Sequence, residues 1–179
     1  MNVIIAIVLI MAALCLTAAA VLGFRRYYGY IRFYISARNR YRYIVNVCDM
    51  WLSVYQKGLG ICGFLKNRNI RRIVLYGSGT LGVRLYFELK KDKDIKVTGV
   101  VKNPYETDEQ YHITDIPVFD TIEEADTADT TVIVTEFFNY KEVCAELKTK
   151  GINSIYSLDE ILQTLLSEQK QCKTVGEKG

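Results

Sequence analysis

The chain has 179 residues, half of them apolar, and a net charge of only +3. That length allows one domain with a sizeable core plus an appendage and excludes two domains of ordinary size. The charge is unevenly spread: residues 1–70 hold nine Lys/Arg against one acid, Asp49, whereas residues 71–179 hold fourteen against nineteen acids, a split that points to an anionic surface near the N-terminus and argues against nucleic-acid binding by the acidic part.

From Asn2 to Phe24 there is no charged residue, and the apolar run is long enough to cross the ~30 Å hydrocarbon core as a helix. A cleaved signal peptide ending near Ala18-Ala19-Ala20 is the rival. No Lys/Arg precedes the run, however, and it is long for a signal sequence, so residues 2–24 are expected to form an uncleaved transmembrane helix. Arg25 and Arg26 follow at once, which predicts a single-pass protein of the inner membrane with its soluble domain in the cytoplasm. Residues 25–43 interleave six arginines with tyrosine and phenylalanine and contain no acid. Such a collar suits anionic lipid headgroups; arginine with aromatics also binds single-stranded nucleic acid, but the adjacent span favours lipid.

Residues 44–66 read as a helical linker. Ile44, Val47, Cys48, Trp51, Leu52 and Tyr55 recur at helical spacing, Gly58 stops that helix, and a shorter one follows over 61–66. A domain is expected over 67–167. Its opening run, Ile73-Val74-Leu75-Tyr76, leads into Gly77-Ser78-Gly79-Thr80-Leu81-Gly82 and then a helix with Leu81, Leu85 and Leu89 on one side. This is the spacing of a dinucleotide-binding turn: one glycine for the tight bend, one for backbone approach to a pyrophosphate, one for close packing of helix on strand.

A second strand over 97–101 ends at Lys102-Asn103, where such folds usually place an acid for the ribose hydroxyls. Lysine cannot accept a hydrogen bond, so the sequence disfavours plain NAD and suits a 2′-phosphate or another anion. A polar loop over 103–109 is expected to form a lip over the glycine turn. Further strands are expected over 116–119, 131–135 and 154–156, with helices over 121–128, 139–150 and 158–167 and a disordered polar tail over 168–179. The expected class is therefore α/β: a minimal five-stranded parallel Rossmann-like sheet preceded by one transmembrane helix.

Thr135, Glu136 and Asn139 fall at the carboxyl end of the fourth strand, where doubly wound folds bind ligands. The expected ligand residues are Gly77, Ser78, Gly79, Thr80, Leu81, Gly82, Lys102 and Thr135. No catalytic set emerges. Tyr86-x-x-x-Lys90 has the spacing of a dehydrogenase proton relay but sits on the helix of the phosphate turn, and His112 lies in a polar loop. The five cysteines show no paired spacing, and none pairs with the sole histidine as a metal site would require. Free thiols are expected.

The Ile73–Gly82 stretch, the strand end Gly99-Val100-Val101-Lys102-Asn103, Ile116-Pro117-Val118 and the closing Ile155-Tyr156-Ser157-Leu158-Asp159-Glu160-Ile161 together resemble a bacterial family. It comprises the small Rossmann-like domains attached to enzymes of cell-surface polysaccharide synthesis, namely sugar-phosphate transferases and sugar acyltransferases. The resemblance covers roughly Asn67 to Leu166. It implies that Gly77, Gly79 and Gly82 line a turn for a nucleotide or nucleotide-sugar, and that a polysaccharide-biosynthesis enzyme is the partner. Relatives often have Asp in place of Lys102, and many carry a catalytic domain. Two functions follow: an accessory membrane-tethered binding module, or a small NAD(P)-dependent oxidoreductase or epimerase. A ligand-free interaction module is the third possibility.

Overall fold

The computed structural model describes residues 2–103, 113–135 and 140–176 and divides into two units, Met1–Arg42 and Tyr43–Gly179. The first unit is helical. It belongs to α1, Asn2–Gln56, which includes the expected span, the arginine collar and the first linker helix in one element. Sequence reasoning separates these three by chemistry, but backbone propensity does not: no proline interrupts the stretch, and Arg, Leu, Met and Ala are strong helix formers. Among the described residues, which exclude most side chains of 2–19, no helix is long and apolar enough to cross a membrane.

The second unit starts with the last turns of α1. That helix ends at Gly58, whose φ of +67° favours glycine. The Gly58 N–H donates to Tyr55 O and the Leu59 N–H to Val54 O, the paired bonds of a Schellman stop. The next helix, α2 (Ile61–Asn67), closes the same way through Asn69, and α4 (Tyr140–Thr149) through Gly151.

Five parallel strands follow: β1 (Arg72–Tyr76), β2 (Lys96–Val101), β3 (Val118–Phe119), β4 (Thr131–Val134) and β5 (Ile155–Ser157), in the order β3-β2-β1-β4-β5. Strand β1 is central. Its side chains alternate, Ile73 and Leu75 into one core, Val74 and Tyr76 into the other. The first core joins the end of α1, α2, α3 (Thr80–Leu89) and α5 (Leu158–Gly176); the second joins α4 and a 3₁₀ turn at Ile122–Glu124. Helices cover both faces because the chain leaves β1 in opposite directions along the sheet.

Several expectations are corrected. The helix expected over 121–128 is only the 3₁₀ turn. Asp126 diverts the chain, its carboxylate accepting from the Ala128 N–H at 3.2 Å and from Arg72 at 2.8 Å. Strand β3 is two residues shorter than expected. The tail expected to be disordered from 168 continues α5 to Gly176. It contains no helix breaker before Gly176, and Glu168 pairs with Arg68 at 3.1 Å. The start of α5 is fixed by Ser157, whose hydroxyl accepts from the Glu160 N–H at 3.3 Å.

Candidate functional site

The strand order reverses at β1, so the crevice at the carboxyl end of β1 and β4 is where an open α/β sheet binds ligands. The glycine turn stands there. The Gly77 N–H donates to Val101 O at 2.9 Å, which sets the turn level with the end of β2. Gly77 has φ +117°, a conformation that side chains rarely adopt. At Gly82 an added Cβ would lie 2.0 Å from Gly77 O, so the third glycine is what lets α3 pack onto the start of the turn.

Gly79 occupies the N-cap of α3, with φ −71° and ψ −170°; glycine has no side chain to cap the helix, and the first turn holds no acid. The first N–H groups of a helix have no acceptor within it and carry the positive end of its dipole, the general setting in which helix starts hold anions. Gly77, Gly79, Leu81 and Gly82 are buried, while Ser78 and Thr80 are half-buried.

Thr135 joins the turn from β4. Its N–H donates to Tyr76 O at 3.0 Å and its hydroxyl to the same oxygen at 3.2 Å. It is thus a brace between β4 and the turn, which sequence reasoning took only as a ligand residue. Lys102 follows Val101 and is level with Gly77, but its ammonium pairs with Asp120 at 2.8 Å, both side chains being exposed. That hydrogen bond raises the Lys102 pKa. The lone cation expected at the end of β2 is therefore one half of an ion pair, and the acid missing from β2 stands one strand over. The signal for Asp120 was the parallel register: Val101 pairs with Phe119, so the next residues on each strand meet.

The Tyr86–Lys90 pair does not form a relay at the crevice. Lys90 pairs with Asp115, and its ammonium lies 5.6 Å from the Tyr86 ring centroid. Burial, followed by the hydrogen bond to Asp115, raises the Tyr86 pKa, the wrong direction for a phenol that must give and take a proton near neutral pH. His112, Glu136, Asn139 and the expected lip over 104–109 lie outside the described residues. Cys48, Cys62 and Cys144 are free thiols.

No protein family matches this chain, and no curated protein or solved structure matches it.

Proposed function

We propose that this protein is a membrane-anchored module that binds a nucleotide or nucleotide-sugar and serves an enzyme of bacterial cell-surface polysaccharide synthesis. The observation that carries the ligand reading is the acid-free start of α3, with glycine at its N-cap, at the point where the strand order reverses. Anchoring is supported by the uncharged residues 2–24 followed by Arg25-Arg26, and the choice of partner by the sequence resemblance. A diphosphate would lie against the backbone of Ser78–Leu81, with Lys102 and Asp120 near the sugar. The absence of a relay at Tyr86–Lys90 favours binding over oxidoreductase chemistry.

The test is calorimetric titration of the full chain in detergent with NAD, NADP and a nucleoside-diphosphate sugar. One class should bind, and Gly79→Val should weaken it by at least about tenfold while the protein still melts cooperatively, since the backbone angles at Gly79 suit any L residue. If none binds at millimolar concentration, the ligand-free interaction module replaces this reading. For the anchor, alkaline phosphatase fused after Leu166 should be inactive; an active fusion would place the domain outside.

A further inference from the structure

In the second unit, α1 is apolar on two sides. Val47 and Val54 are 0% and 2% exposed and belong to the domain core, with Ile44 and Trp51 packed against it. The other row is Val45, Cys48, Leu52 and Tyr55. Val45, Leu52 and Tyr55 are 65%, 55% and 78% exposed, and a groove of about 600 Å³ opens beside the row, lined also by Arg84, Phe87 and Lys91. Val45, Leu52 and Tyr55 stand exposed, whereas Cys48 is half-buried at the edge of the core.

Its spacing is the informative feature. From Val45 the steps are three, four and three residues, and the same alternation runs back through the sequence to Tyr41, Arg38, Tyr34, Ile31, Tyr27 and Phe24. Ten positions thus follow a heptad seam with one polar member. In the first unit Phe24, Tyr27 and Tyr41 are also exposed. A repeat of 3.5 residues over four heptads is the pattern of a left-handed coiled coil, whose knobs fit the holes of an identical helix in register.

We propose that this row is the seam of a parallel two-stranded coiled coil between two copies of this chain. Four exposed seam aromatics per copy, each covering about 150 Å², remove about 1,200 Å² between them, which reaches the lower end of the range for a stable interface before Val45 and Leu52 are added. Arg38 is the single charged seam position, and one polar residue at such a site fixes register and strand number. The other five collar arginines fall off the seam, where two copies leave them hydrated or against lipid. The parallel direction rests on the shared anchor proposed above; the seam does not.

The test uses the full chain in detergent micelles. Its protein mass by sedimentation should be twice the 20.5 kDa of one chain, and Leu52→Glu, at an exposed position, should return it to one chain with unchanged melting. In register, position 52 of the two copies meets across the seam, so Leu52→Cys is introduced together with Cys48→Ser. Copper(II)-phenanthroline should take two electrons from that thiol pair as two protons leave, giving a disulfide-linked dimer that Cys48→Ser alone does not form. A single-chain mass for the unaltered protein, or a dimer that survives Leu52→Glu, overturns the seam. A double mass without the Leu52→Cys cross-link overturns the parallel in-register arrangement while leaving the anchor to the phosphatase fusion. Vesicle binding that needs Leu52 in a protein of single-chain mass would assign the row to lipid instead.

Discussion

Gly82→Ala tests the geometry of the turn most directly. The new Cβ would sit 2.0 Å from the Gly77 carbonyl oxygen and 3.4 Å from the Thr135 hydroxyl, where ordinary contact begins at 3.4 Å. The nearer atom is backbone, held by the Gly77 N–H bond to Val101, so it cannot swing aside as a flexible side chain would. Either α3 lifts or the turn deforms. Overpacking of this kind costs about 1–3 kcal/mol, offset by up to about 1 kcal/mol because alanine suits a helix better than glycine. A 2.0 Å approach to backbone lies at the upper end of that range, so the net loss is about 2 kcal/mol, a melting temperature lower by about 4–8 °C. The sole tryptophan, Trp51, donates to Glu88 on α3 at 2.5 Å, so its fluorescence reports displacement of α3 as well as unfolding. Gly63→Ala is the control: it lies in α2 with no atom within 4 Å of its Cβ and should leave melting unchanged or raise it. A Gly82→Ala protein that melts at or above the unaltered chain would refute the close approach of α3 to the turn.

Two further outcomes are expected. Lys102→Met releases Asp120 to accept a ribose hydroxyl and removes the cation beside a 2′-phosphate, so the ratio of NAD to NADP affinity should rise about tenfold, the scale of a charge-assisted hydrogen bond; calorimetry giving equal ratios for both proteins would remove Lys102 and Asp120 from the site. Asp92 is held below its ordinary pKa of 3.8 by its hydrogen bond to Lys66. A depressed folded pKa stabilises above the unfolded value and loses that contribution as pH falls through the folded value, so the melting deficit of Lys66→Met should be full at pH 7 and shrink below pH 3.8. A deficit that grows with acid would contradict the pairing.

The central strands were legible because each is a short apolar run bounded by breakers: Ile73–Tyr76 before Gly77, and Thr131–Val134 after Asp129-Thr130. Period and punctuation are local properties, and they survive folding. What the sequence hid depends on neighbours. The partner of Lys102 needs the β2–β3 register, which no local pattern encodes. The double use of α1 was hidden because its buried row, through Val47 and Val54, and its exposed row, through Val45 and Leu52, overlap in one apolar stretch. Only burial separates them. The continuity of α1 was missed for a related reason: the change at Arg25 from apolar to basic alters solvation but not helix propensity.

The three glycines of the turn do not carry equal weight as evidence for a ligand. Gly77 is required by its positive φ and Gly82 by the approach of its own helix to Gly77 O, so both follow from folding whether or not anything binds. Thr135 is accounted for by its bonds to Tyr76 O. Gly79 is different. Its backbone is extended, and the position it fills is one where Ser, Thr, Asp or Asn would stabilise the helix by only about a few tenths of a kcal/mol more than glycine, through a side-chain cap. Such a cap would bond the same N–H groups that a phosphate needs and would stand in its way. Glycine at this N-cap therefore gives up little local stability and puts no side chain across those N–H groups, so under the nucleotide reading proposed above Gly79→Val is the substitution that tells a binding site from a folding device.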